Sequence, residues 1–333
     1  MKKIYLIAVS VLLIHTAQAQ FTAIPDSNFE QALIDLGHDD VLDGQVLTAN
    51  IVNVTELFLS DMGIQNMAGI QDFASLIELS VGENQITTMN VSQNLALEFL
   101  VIAENPISAI DISNNTNLVG FAADFTNLSA LNTSNNPNLL FLYLWDCNIS
   151  SLDLSNNISL IELDVDENNL TQLDLGNNPD VQILYSVENP NLSFINIKNG
   201  NTAGLEEFYA FDIANNACIQ VDDAQAATNA STFPYNQWNI DPSSTFSEEC
   251  SLSTETFDLA KITFYPNPAT DKLTIINSTF TGYQIYDAKG SLLANNTKFS
   301  GNQINVAFLK PGIYFMKVTN DKNQTQTVRF VKK

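Results

Sequence analysis

Three aromatic side chains, Phe141, Tyr143 and Trp145, alternate over a short stretch, and three carboxylates, Glu162, Asp164 and Asp166, alternate with the same spacing 21 residues further on. Alternation at every second residue places each trio on one face of an extended strand. Aromatic rings offer apolar faces to side chains or sugar rings, and carboxylates take Lys, Arg or hydroxyl groups. The pairing is therefore chemistry for non-covalent recognition. Phe99 and Tyr185 fall in the same columns and complete a candidate ligand-binding set.

Residues for catalysis are scarce. Only His15 and His38 occur. One histidine outside the leader cannot build a His-rich zinc site or a two-His iron site. A Ser-His-Asp hydrolase would need His38, which falls in the predicted front cap, away from any cleft. Cys147 occupies an inward position, where a thiol is shielded from substrates. The run Asp164 to Asn168 is similar to the start of a calcium loop, but Asn169 stands where that loop needs Gly and Leu175 where it needs Glu. No Gly-rich phosphate loop is present. The expectation is a protein without catalytic residues, metal or cofactor, and not an enzyme.

The elements that position the aromatic and acidic trios recur. The block L-x-x-L-x-L-x-x-N-x-L opens at Leu76, Leu97, Leu118, Leu139, Leu160 and Val181, each 21 residues after the last. Steps 0, 3, 5, 8 and 10 face inward, as in Leu76, Leu79, Val81, Asn84 and Ile86. Steps 2, 4 and 6 face outward on the inner curve. The alternating part reads as a short strand, and stacked strands form a parallel sheet. Buried Asn at step 8 needs hydrogen-bond partners, which turn backbones supply. Thr126 and Cys147 replace it in two repeats and weaken the ladder locally. The second half of each repeat, as in Ile110–Ile112, Leu152–Leu154 and Leu173–Leu175, also reads as extended. A second Asn column follows it through Asn94, Asn115, Asn136, Asn157 and Asn178.

This pattern resembles the leucine-rich-repeat proteins of exported bacterial surfaces, including the internalin-like type, over roughly residues 22–250. The resemblance implies a solenoid that binds or adheres through its concave face. Open solenoid ends need caps. Ser27 and Glu30 have capping-box spacing, so a short amphipathic helix is predicted at the front. At the back, Cys218 and Cys250 are expected to be bonded.

The chain begins with Lys2 and Lys3, an apolar run from Ile4 to Ile14 and a small-residue site at Ala17-Gln18-Ala19, which reads as a secretory signal peptide. No other segment is long and apolar enough to cross a membrane. Residues 20–260 hold one basic residue, Lys198, and nearly all of the 37 acidic ones. Residues 261–333 hold ten of the 13 Lys and Arg and only Asp271, Asp287 and Asp321. The switch argues for two domains, and the acidic one repels nucleic acid and anionic membranes.

The basic part opens with Tyr265-Pro266-Asn267-Pro268 and continues through short strands with turns, among them Tyr283–Gly290 and Pro311-Gly312-Ile313-Tyr314, to the terminal Lys332-Lys333. This spacing suggests a small antiparallel sandwich. The block resembles the type A sorting domain of the type IX secretion system. That resemblance implies transport across the outer membrane by the secretion machinery and a secreted or cell-surface product.

The expected fold is mostly β: a leucine-rich-repeat solenoid of 21-residue repeats with short parallel strands, then a small antiparallel β-sandwich. The expected domains are a signal peptide, 1–19; an N-terminal cap, 20–53; repeats, 54–217; a disulfide-stapled cap, 218–250; a linker, 251–261; and the sorting domain, 262–333. The expected function is recognition of an extracellular protein or peptide, with glycan capture as the alternative.

Overall fold

The computed structural model describes residues 20–250, 263–276, 281–299, 301–319 and 325–333. The predicted signal peptide and the linker, 251–261, lie outside the described residues. The chain divides into two compact units after Cys250.

In the first unit each coil contributes a strand of two to four residues to a nine-stranded parallel sheet. Its strands run in chain order from Glu56–Phe58 through Glu78–Ser80, Phe99–Val101, Gly120–Ala122, Phe141–Tyr143, Glu162–Asp164, Ile183–Tyr185 and Glu207–Ala210 to Asn239–Ile240. Leu79, Leu100, Phe121, Leu142, Leu163 and Leu184 pair across neighbouring strands and are all buried. Side chains of this size stabilise the fold by about 1.5–3 kcal/mol each when fully buried. With one such row per strand, the core is a continuous file between coils.

Two asparagine columns hold the coils together. Asn105 Nδ2 donates to Val81 O of the preceding coil and to Ile102 O and Ala103 O of its own, while its Oδ1 accepts the Ile86 N–H. Asn84, Asn168 and Asn189 repeat the pattern. Between Thr126 and Cys147 the ladder thins: the two side chains meet at 3.3 Å and both reach the Ala123 carbonyl. Cys147 is a buried free thiol, as its inward position requires.

In the second column each Nδ2 donates to carbonyls 21 and 24 residues back. Asn136 reaches Asn115 O at 2.8 Å and Ile112 O at 3.1 Å. Its Oδ1, like those of Asn94, Asn115 and Asn178, is buried without a hydrogen-bond partner. Asn157 differs because Thr133 donates to its Oδ1 at 2.7 Å, from a position that Val91, Ile112 and Leu154 fill in other coils.

The extended second half behaves less uniformly than its sequence suggests. A four-stranded parallel sheet forms only from Gln172–Asp174 onward, with Phe194–Asn196, Cys218–Gln220 and Thr245–Ser247. Ile110–Ile112 and Leu152–Leu154 form no strand. Coil-to-coil bonding at this level comes from asparagine amides rather than a backbone ladder.

Step 7 of every coil is left-handed: Glu83, Glu104, Phe125, Asp146, Glu167 and Glu188 have φ of 55, 55, 56, 46, 51 and 52°. For residues with a Cβ this costs roughly 1–2 kcal/mol. The conformation keeps each step-7 N–H on the next coil's step-6 carbonyl, as in Phe125 N–H to Trp145 O at 2.7 Å.

The front is closed by the helix Ser27–Asp35. The residue that caps it is Asp26, not Ser27, with Oδ1 accepting the Asn28 and Phe29 N–H groups. Glu30 does not turn back to form a capping box. It is buried, and its Oε1 accepts the N–H groups of Asp43, Gly44 and Gln45. At the back Trp238 packs against Phe208, Tyr235 and Phe246, and its indole donates to Leu205 O at 2.9 Å. Cys218 and Cys250, 32 residues apart, are bonded. Replacing both by Ser is expected to destabilise the cap by about 3 kcal/mol, since a loop of this length then regains its freedom in the unfolded chain. Urea unfolding followed by Trp238 fluorescence in a Trp145→Phe background measures it, and an unchanged midpoint would contradict the expectation.

The second unit is a sandwich of two antiparallel sheets. One pairs Thr263–Tyr265, Lys272–Ile276 and Gln303–Asn305. The other pairs Leu292–Asn296, Gly282–Asp287, Gly312–Thr319 and Thr325–Lys332. Its core includes Phe264, Leu273, Ile285, Ile304, Met316 and Phe330.

Candidate functional site

The outward face of the nine-stranded sheet carries the predicted residues in register. Phe141 lies beside Glu162, and Tyr143 beside Asp164. Tyr185 is the next neighbour of Asp164. The row from Phe99 through Gly120 to Phe141 runs across the same face.

The aromatics do not form one platform. Trp145 turns to Phe125, with ring centres 4.6 Å apart, and its indole N–H donates to Glu167 at 3.1 Å. Phe125 was not among the expected site residues, although it is the single aromatic in a column of acids. Tyr185 packs against Tyr209 with tilted rings whose centres are 5.4 Å apart, and its hydroxyl donates to Glu207 at 2.8 Å, away from the acidic strand. Phe99, Phe141 and Tyr143 come together instead around a shallow hollow of about 230 Å³ whose floor is Gly120 and Ala122. A methyl group on Gly120 would lie 2.8 Å from a Phe99 ring carbon, so this ring lies over the glycine.

The carboxylates are half-buried and fastened to backbone. Asp164 Oδ1 accepts the Asp166 N–H at 3.0 Å, Asp166 Oδ1 accepts the Val187 N–H, and Asp124 Oδ1 accepts the Trp145 N–H at 2.9 Å. Burial pushes Asp164 up to about 6 and Asp166 up to about 7, with acidic neighbours adding to it and the backbone bonds opposing it. Asp124 is raised by burial too. Burial first, then Glu162, pushes the Tyr143 hydroxyl up to about 12. Residues 20–250 contain one Lys or Arg, Lys198, whose Nζ donates to Glu248 O at 2.9 Å. Among the described residues no cluster of three or more His, Cys, Asp or Glu side chains is arranged to hold a metal ion.

The residues expected to form the sorting motif lie in the second unit. Tyr265 is exposed and precedes Pro266. Asn267 Oδ1 accepts the Val331 N–H at 2.9 Å, and Ala269, just after Pro268, pairs with Lys332. Gly312 and Tyr314 pair with Lys332 and Phe330, and the Tyr314 hydroxyl donates to Lys310 O at 2.8 Å. Lys332 is buried beside the terminal Lys333, to whose carbonyl its Nζ donates. The opening motif and the chain end are thus held on one sheet edge. Among the described residues no helix is long and apolar enough to cross a membrane.

Comparison with known proteins agrees with both halves. Residues 263–333 match the family described as the secretion system C-terminal sorting domain. Internalin C2 of Listeria monocytogenes superposes with a TM-score of 0.50 at 20% identity, over 69% of this chain and 99% of its own. A second internalin of that organism gives 0.48 at 17% identity, covering 68% and 71%. β-Agarase D of Zobellia galactanivorans is 25% identical over 152 residues, 46% of this chain; the match spans only 30% of the agarase. The chain thus folds as a solenoid of the leucine-rich-repeat type followed by a secretion system C-terminal sorting domain, which marks it for export to the cell exterior.

Proposed function

We propose that the outward face of the nine-stranded sheet binds an extracellular protein or peptide that presents basic side chains. The observation that carries this reading is the in-register contact of an aromatic strand, Phe141–Tyr143, with an acidic one, Glu162–Asp164. Aromatic side chains supply contact area at low entropy cost, and unpaired carboxylates favour a cationic partner. Residues 20–250 have no second Lys or Arg to neutralise them, and Lys198 is engaged elsewhere. The test is capture of extracellular proteins by the full chain at low and high salt. Capture should weaken as salt rises. The double substitution Tyr143→Ala and Trp145→Ala should lower it at least about tenfold, the scale of a lost hot spot. Binding that ignores both changes would sink the proposal.

Glycan capture is the second reading, favoured by the match to a protein named as an agarase. Tyr143 and Trp145 would then stack on sugar rings. Salt-insensitive binding on a glycan array, lost in the same double variant, would select it.

A further inference from the structure

We infer that the hollow over Gly120 and Ala122 is a slot for a single Lys or Arg side chain of the ligand, its stem laid along Ala122 and its charged head at Asp124. This rests on the reading that the ligand occupies this face.

The floor is set by two residues that project almost nothing. Phe99 lies over Gly120 and closes one end. The remaining trough runs over Ala122 between Val101 on one neighbouring strand and Tyr143 on the other. With strands about 4.8 Å apart, the walls stand roughly 10 Å from each other, which admits one unbranched side chain between them. Asp124 is two residues beyond Ala122, in the turn that follows the strand Gly120–Ala122, and so at most about 7 Å further along the chain. That matches the reach of a Lys or Arg from its Cα to its charged head. Apolar walls suit the methylene stem, and the carboxylate at the far end suits the head. Tyr143 adds an aromatic face beside the path of the cation.

Charge favours this occupant over an apolar one. Asp124 is held in place by the Trp145 N–H, so its carboxylate is aimed before any ligand arrives. Asp164 and Glu162 lie just past the Tyr143 wall. A leucine would fill the trough yet bury Asp124 without a counter-charge, which is costly. Burial already raises the Asp124 carboxyl, and a bound cation would reverse that.

The test uses a random dodecapeptide library selected on the full chain, followed by affinity measurement of the enriched peptides. They should share one invariant Lys or Arg. Replacing it by norleucine should weaken binding about tenfold or more, the range of a charged hydrogen bond. Asp124→Asn keeps the acceptor for Trp145 and should abolish the preference for Lys over norleucine. Ala122→Leu should fill the trough and reduce binding similarly. If Phe141→Ala lowers binding but Asp124→Asn leaves the Lys-to-norleucine ratio unchanged, the slot is wrong and the face reading stands. If no face substitution affects the enriched peptides, or none are enriched, both fail.

Discussion

Asn136→Ala is expected to destabilise the solenoid by about 3 kcal/mol. The loss is large because one amide bridges two buried carbonyls of the preceding coil, Ile112 O and Asn115 O, and alanine removes both of these bonds between coils, leaving each carbonyl only the backbone N–H of its own coil, from Asn115 and Leu118. Each lost hydrogen bond costs about 1 kcal/mol net, and the smaller side chain adds a void between the coils. The unpartnered Oδ1 of Asn136 is removed at the same time, which returns part of the cost. Thr133→Val is the internal comparison. It strips the donor from Asn157 Oδ1 and converts that coil to the state of its neighbours, so about 1 kcal/mol is expected. Urea unfolding of the two variants measures both. Equal midpoints would mean that the asparagine column does not hold the coils together. A solenoid couples each coil to its neighbours only, so Asn136→Ala should also broaden the transition as the two flanks lose cooperativity.

The second large effect is proton-linked. Asp164 at about 6 and Asp166 at about 7 lie above the ordinary carboxylate value of 3.8 because burial disfavours their charge. Between about pH 4 and about pH 7 the folded state therefore holds protons that the unfolded chain has released. Stability then falls as pH rises through this window and is greatest below it. Both groups remain partly solvated, so screening reduces the effect to about 2 kcal/mol. Asp26 and Asp222 are shifted downward and act below the window, with the opposite slope. The urea midpoint at about pH 5 should exceed that at about pH 8, and Asp166→Asn should flatten the difference. A basic ligand would expel the same protons, so its affinity should increase over the range in which the free protein loses stability. A midpoint that rises from pH 5 to pH 8 would contradict the burial account.

The inward pattern could be read directly because burial in a strand obeys a period of two, and because a buried Asn recurring at one step must find backbone partners. Phe99, Phe141 and Tyr143 follow from the same alternation. Other features depend on distances that spacing does not encode. Ser27 and Glu30 have the separation of a capping box, but Ser27 is already helical and the extended capping residue is Asp26, one position earlier, which frees Glu30 to organise the 43–45 loop. The left-handed column was hidden because its residues are mostly acids, not the Gly or Asn that usually mark such a turn. The partnership of Trp145 with Phe125 follows from that turn, which directs a step-7 side chain back toward the sheet face. Gly120 and Ala122 are legible as two small outward residues in a row, but the Phe99 ring lying over Gly120, which closes one end of the trough, is not.

The hydrogen bonds of the second asparagine column join residues 21 or 24 positions apart, over and over, and the other bonds between coils span similar separations. A segment leaving an export channel thus finds its partners in the coil made just before it, and folding can advance in the order of synthesis without waiting for distant sequence. The same rule sets how such a protein can vary in evolution. Insertion or loss of one whole coil keeps every neighbour relation, adding or removing one outward row, whereas a change of a few residues breaks the alignment of both asparagine columns at once.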